Sequence, residues 1–233
     1  TWGNNGFHLK FENSGALGTD SSGNSNTFTV NGNLKQAIDT PSNNLATMNN
    51  LHNFYESGTY AYGNNQITTG GSNKYTYNNS TLGMETGKYY AEFKWISGGT
   101  DILFGLTDRY TTSSTHELGH YDTQYGYRTN GTVRNNNGNL SGVTVASWTT
   151  GDIIGVAYDA TNKKLYFSKN GTWQNSGDPT SGSTGTGAIS VSASPQDGLY
   201  YFSTSGYDDA SCVLQANFGN GYFGTTAVSS AGT

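Results

Sequence analysis

Along much of this chain apolar and polar positions alternate with period two, and no long stretch carries them at helical spacing. The run from Gly151 to Gln174 is the clearest. Ile153, Ile154, Val156 and Tyr158 form a β-prone segment that Gly151-Asp152 opens and Asp159 to Lys163 closes. Leu165 and Phe167 then alternate with Tyr166 and Ser168, and Asn170-Gly171 supplies the positive φ angles of a tight hairpin. Two hairpin signals in succession predict a meander. Upstream, Gly87 to Ile96 places Ala91, Phe93 and Trp95 on one face and Glu92 and Lys94 on the other, so one face is core and the other wet. Short β-branched and aromatic runs recur at fairly even spacing between turn residues, which predicts an all-β chain of antiparallel sheet.

The first 53 residues differ in texture. Phe7, Leu9 and Phe11 alternate with His8 and Lys10 and predict an edge or sandwich strand, Phe28-Thr29-Val30 a second, and Asp39-Thr40-Pro41-Ser42-Asn43 a turn in which proline fixes φ. The pattern divides the chain into an N-terminal β-containing extension over residues 1–53, a main domain over 54–224 and a flexible tail over 225–233. Asn135 to Asn139 and Gly177 to Gly187 are low-complexity patches. Both read as exposed loops, and the second, a mixture of Gly, Ser and Thr, is expected to be mobile.

Composition narrows the function. At 233 residues and 24.8 kDa there is chain enough for one sizeable core. The apolar fraction is only 33%, so the 17 Tyr, 10 Phe and 4 Trp must supply dense aromatic packing, with Trp95, Trp148 and Trp173 read as core. Eleven Lys and Arg against sixteen Asp and Glu leave no basic field for a phosphate backbone, which excludes nucleic acid as an expected partner. A surface of amides and hydroxyls with few lysines suits an extracellular protein that meets glycans or protein surfaces. Cys212, alone in Cys212-Val213-Leu214, reads as a small buried hydrophobe, and no apolar run of about 18 residues predicts a membrane span. Thr1 at the start and Ser229 to Thr233 at the end are expected to mark a piece of a longer protein.

His116-Glu117-Leu118-Gly119-His120 matches the HExxH zinc-protease pattern letter for letter. That chemistry needs a helix, because two histidines four apart share a face only at helical spacing, with the glutamate beside the metal-bound water. Thr111 to Thr115 before it are poor helix formers, and Tyr121 to Gly126 after it lead into a turn. Thr123 and Gly126 stand where the extended pattern wants Gly and His, and no glutamate follows Glu117. The segment therefore reads as a loop that carries two histidines. No nucleophile elbow, P-loop or dinucleotide fingerprint is present; paired carboxylates stay open among sixteen acids, and loop aspartates for calcium lack the needed density. No cofactor and no catalytic residue are expected.

The meander resembles the central signature of SPRY domains, in which Gly-Asp, Ile-Gly-Val, an Asp-led turn, an aromatic strand and an Asn-Gly hairpin follow in order. Gly87 to Phe93, Ile102-Leu103-Phe104-Gly105-Leu106-Thr107-Asp108, Tyr125-Gly126-Tyr127-Arg128, Leu199 to Ser203 and Asn217-Phe218-Gly219 resemble the family's other motifs in sequence order. The resemblance implies an antiparallel two-sheet sandwich of the concanavalin A-like or jelly-roll kind. Phe7-His8-Leu9-Lys10-Phe11 and Leu17 to Asn24 resemble segments that precede SPRY domains in bacteriophage tail and other virion proteins. That likeness implies a non-catalytic virion-surface module, tail, fibre or decoration, contacting neighbouring virion proteins or host glycan or protein, with homo-oligomerisation left open. An extracellular adhesin or filament subunit, and a eukaryotic-type SPRY interaction domain, are the alternatives, and a zinc protease at His116 to His120 is the remotest. Rigid strands with variable end loops place recognition on loops, and the residues expected to contact a partner are Arg109, Tyr110, His116, His120, Tyr121, Tyr125 and Arg128. Tyr125 also has a bland reading as a packed residue of the Tyr-Gly-Tyr turn.

Overall fold

Period-two burial becomes strand pairing where the sequence alternates. In the computed structural model, which describes residues 2–32, 34, 36, 44–51, 58–70, 73–108, 114–191, 194–208 and 211–228, the chain divides into two compact units, Thr1–Asn44 and Leu45–Thr233. The second unit is all-β. Its described strands are β1 (Thr59–Ala61), β2 (Gln66–Thr68), β3 (Lys74–Asn79), β4 (Lys88–Ser97), β5 (Thr100–Thr107), β6 (Tyr125–Arg128), β7 (Thr132–Asn135), β8 (Gly138–Asn139), β9 (Ile153–Asp159), β10 (Lys164–Lys169), β11 (Thr172–Trp173), β12 (Ile189–Ser190), β13 (Tyr201–Asp208), β14 (Val213–Asn217), β15 (Tyr222–Phe223) and β16 (Thr226–Ala227). The first sheet runs β1-β2-β14-β4-β9-β10-β11 with β12 beside β10, the second runs β3-β13-β5-β6-β7-β8, and every described pairing between these strands is antiparallel. This is the expected two-layer sandwich.

The predicted meander is β9-β10-β11, with Tyr158 opposite Leu165 and Ser168 opposite Trp173. Asn170 at φ 49° and Gly171 at φ 80° make the turn that the Asn-Gly pair foretold. Between the sheets, Phe93 of β4 stacks on Phe104 of β5 at 5.2 Å, and Phe104 stacks on Trp148 at 5.1 Å. Phe93 is fully buried and also meets Phe202 and Phe218 edge-on. Each such pair contributes roughly 0.5–1.5 kcal/mol beyond its buried area. A core rich in rings thus compensates for the low apolar fraction. Cys212 is buried, as its apolar setting predicted. No described helix is long and apolar enough to cross a membrane.

Several local expectations are corrected. The strands foreseen at Phe7 to Phe11 and Phe28 to Val30 do not form; this stretch holds one bridge, Leu9 to Asp20. Its alternation finds no partner ladder, because the Asp20 carboxylate gathers the backbone N–H groups of His8, Ser22 and Asn26 and the Ser22 hydroxyl, folding the segment into turns. Desolvation pushes that carboxyl up, but the hydrogen bonds outweigh it and bring it to about 2. The turn foreseen at Asp39 to Asn43 lies outside the described residues. Leu45 onward belongs to the second unit, where Met48 bridges Ser80 and is buried. Within the expected tail, β16 pairs with β15. The patch from Gly177 to Gly187, expected to be mobile, is tied by side chain to backbone bonds: the Ser181 hydroxyl donates to the Asp178 carbonyl and accepts from the Thr186 N–H. Hydroxyls order it where apolar burial does not.

Candidate functional site

The outer face of the second sheet is where a loop has been folded down onto strands. Ile102, Phe104 and Leu106 of β5 and Tyr125 and Tyr127 of β6 point into the core. The residues that alternate with them, and so lie on the opposite face, are Leu103, Gly105, Gly126 and Arg128, joined there by Tyr75 and Tyr77 of β3 and Ser205 and Tyr207 of β13. Leu118 lies across this face, fully buried against Tyr77 and Leu103 in a small apolar cluster of its own. Two backbone-level observations explain the Tyr-Gly-Tyr motif. The tyrosines fill the core, while a Cβ on Gly126 would lie 2.6 Å from the Leu118 carbonyl oxygen and 2.9 Å from Leu103 Cδ2. Glycine is required because another piece of chain rests on it.

That piece, Ser114 to Gln124, is pinned at every turn. Tyr75 N–H donates to the Ser114 carbonyl at 2.8 Å, Tyr77 hydroxyl to the His116 carbonyl, and Leu118 N–H to Ser205 Oγ at 3.4 Å. Gln124, fully buried, accepts from the N–H groups of Gly119 and Tyr121 and donates to Thr107 Oγ1. The β7-β8 hairpin closes the far side, with Asn136 and Asn137 N–H groups donating to the Tyr121 and Gly119 carbonyls. Thr123 Oγ1 donates to Asp108 at 2.6 Å.

The His-Glu-Leu-Gly-His run has no helix. His120 N–H reaches back only to the Glu117 carbonyl, and Gly119 sits at φ 105°, where a Cβ would lie 2.6 Å from the Arg134 carbonyl oxygen. Glu117, the residue a protease would aim at water, is instead ion-paired with Arg134, whose Nε donates to Oε1 at 2.8 Å while Nη2 reaches the same oxygen. Both side chains are mostly buried. His116 and His120 stack face to face, centroids 3.4 Å apart, with Tyr121 edge-on to each and its hydroxyl 3.3 Å from His116 Nδ1. Among the described residues no group of three or more His, Cys, Asp and Glu gathers as a metal site. Partial burial, then the neighbouring His116, pushes the His120 imidazole below its ordinary range.

Of the residues expected to meet a partner, the fold therefore brings His116, His120 and Tyr121 into one cluster on this segment. Arg128 lies on the same face but is committed to Asp101, donating from Nε to Oδ1 and from Nη2 to Oδ2 at 2.6 Å, while the Tyr75 hydroxyl also donates to Oδ2. Tyr125 is 2% exposed in the core and cannot reach a partner. Arg109 and Tyr110 lie outside the described residues. Sequence reasoning missed Leu118, Gln124 and the Glu117–Arg134 pair that hold the segment in place. Gly126 between two core tyrosines was the available signal, since an outward glycine in a strand marks close approach of another backbone.

A family model described as "SPRY domain" matches residues 88–221, more than half of the chain. Among solved structures, the SPRY domain of human HERC1 is similar over 74% of this chain and 98% of that one, with a TM-score of 0.57 and 17% sequence identity, a likeness of fold. Among curated proteins, the dual specificity protein kinase splA of Dictyostelium discoideum is 36% identical over 89 residues, which is 36% of this chain and 3% of that protein. The chain thus spans a small part of the length of that relative.

Proposed function

We propose, from the premise that this chain belongs to the SPRY domain family, that it is a non-catalytic protein-interaction module of the eukaryotic type. It docks a segment of a partner protein on the surface formed by Ser114 to Tyr121 with Tyr75 and Tyr207. The observation that carries this reading is the ring cluster of His116, His120 and Tyr121, held on a segment that Leu118 anchors to a rigid sheet. Tyr75 and Tyr207 extend the aromatic surface, their rings edge-on at 5.2 Å. Preorganised rings of this kind lose little conformational entropy on binding and make good anchors. The carboxylate that hydrolysis would require is spent on Arg134.

The virion reading, with its virion-subunit and host-glycan partners and its extracellular setting, rests on the likeness of Phe7 to Asn24 and on a surface of amides and hydroxyls with few lysines. Among the proteins to which this chain is similar are a human and a Dictyostelium protein, and they favour the cellular module. The test is to select peptides from a random display library on the full chain and measure their affinity for it and for Tyr121→Ala. At least a tenfold loss in the variant, about 1.4 kcal/mol, is expected. Equal affinity for parent and variant overturns the choice of surface, and a glycan array positive where every peptide fails returns the virion reading.

A further inference from the structure

The outer face of the first sheet carries a second built feature, distinct from the docking segment. Tyr90 of β4, Ala157 of β9 and Tyr166 of β10 are register neighbours on that face. With strands about 4.8 Å apart, the two tyrosine positions stand about 10 Å from each other across the alanine. The next row along the same face is Glu92, Gly155, Ser168 and Trp173. Gly155 and Ser168 are small, and the Trp173 ring lies back over this row to meet both tyrosines edge to face, at 6.1 Å and 64° from Tyr90 and at 6.5 Å and 77° from Tyr166. A Cβ on Gly155 would lie 2.7 Å from the Tyr90 hydroxyl, so the glycine is a requirement of this arrangement. The result is a groove of about 530 Å³ with three rings as walls, Ala157 as floor, and Asp178 and Pro179 of the hydroxyl-tied loop on its rim.

Shape and charge restrict what enters. Trp173 closes one end of the slot, which disfavours a polyproline helix that must run through it, and the rings stand crosswise and offer no flat platform for a sugar. The charged groups on the lining are Lys88, Asp159 and Asp178. Lys88 Nζ is 3.9 Å from Asp159 Oδ2 and its charge is also felt by Asp178, so one cation faces two carboxylates and the lining is net negative. Hydrogen bonds from the Thr180 hydroxyl and N–H hold the Asp178 carboxyl below the usual carboxylate range, so it is ionised at neutral pH. Aromatic faces beside a net negative rim attract a weakly hydrated cation.

We propose that this aromatic box binds a methylated ammonium group, the trimethyl-lysine side chain of a partner peptide. The box goes beyond the docking segment and stands or falls apart from it, because no residue is shared. The test is calorimetric titration of the full chain with three blocked glycine-rich peptides that differ at one central residue: trimethyl-lysine, lysine, or a neutral analogue in which carbon replaces the ammonium nitrogen. Trimethyl-lysine should bind at least tenfold more tightly than the neutral analogue and more tightly than lysine. Trp173→Ala should lose at least tenfold, Trp173→Phe should fall between, Asp178→Asn should lose a few-fold, and Tyr121→Ala should change nothing. Where Trp173→Ala fails to fold, Trp173→Phe and the peptide comparison still decide. Equal binding of the neutral analogue, binding indifferent to Trp173, no binding of any of the three, or binding only of a proline-rich or sugar probe overturns the proposal.

Discussion

Replacing Gly126 by alanine isolates the step on which the docking surface depends, the seating of the Leu118 segment on the second sheet. The φ of Gly126 is not among the positive ones, so alanine meets no backbone penalty there. Its methyl group would lie 2.6 Å from the Leu118 carbonyl oxygen and 2.9 Å from Leu103 Cδ2, whereas ordinary contact begins at 3.4 Å. The segment must lift by about 0.8 Å, and the neighbour that must give is backbone, not a flexible side-chain tip. Overpacking of this kind costs about 1–3 kcal/mol, offset by about 0.4–1 kcal/mol from the reduced freedom of the unfolded chain. The net loss should be about 1–2 kcal/mol, a melting point lower by about 2–8 °C in a domain of this size. Denaturant unfolding measures the first, and hydrogen exchange at residues 118–121 should quicken as their bonds to Gln124 and Ser205 loosen. Gly138→Ala, whose methyl group would find its nearest atom at 3.8 Å, is the control and should stay within about 0.5 kcal/mol of the parent. A Gly126→Ala protein as stable as the parent, with unchanged exchange over the segment, would refute the reasoning.

Two further outcomes are expected. Glu117→Gln leaves the mostly buried Arg134 without its charge partner and should lower stability by about 2 kcal/mol, while the double variant with Arg134→Met should recover part of it, which denaturant unfolding of both proteins checks. The His120 imidazole is depressed in the folded state, so below its ordinary value of 6.5 the unfolded chain takes up a proton that the folded chain refuses. Stability should therefore be full above pH 6.5 and decline as pH falls below it, and His120→Asn should flatten that decline; a parent and variant with the same pH profile would count against it.

The strands of the meander were legible because alternation there coincided with a partner strand on each side and with turn residues that demand positive φ. The same alternation at Phe7, Leu9 and Phe11 misled, because Asp20 drew the backbone donors to itself and no ladder was available. Trp173 was expected in the core on the general burial of tryptophan. Its place on the two-residue β11, opposite Ser168, turns it to the outer face of the first sheet, a matter of register that hydrophobicity alone does not report. The docking segment was legible as a loop, since its neighbours are poor helix formers, but its attachment was not. Leu118 is a single apolar residue among polar ones, and only Gly126 beneath it, on β6, records that something must lie above.

The central claim, that the partner is met on the Leu118-anchored segment, is tested most directly by amide chemical-shift mapping with a library-selected peptide. Shifts concentrated at residues 114–121 together with Tyr75, Tyr77 and Tyr207 are the predicted result. Shifts concentrated instead at Tyr90, Ala157 and Tyr166, or spread with no focus on the second sheet, would contradict it.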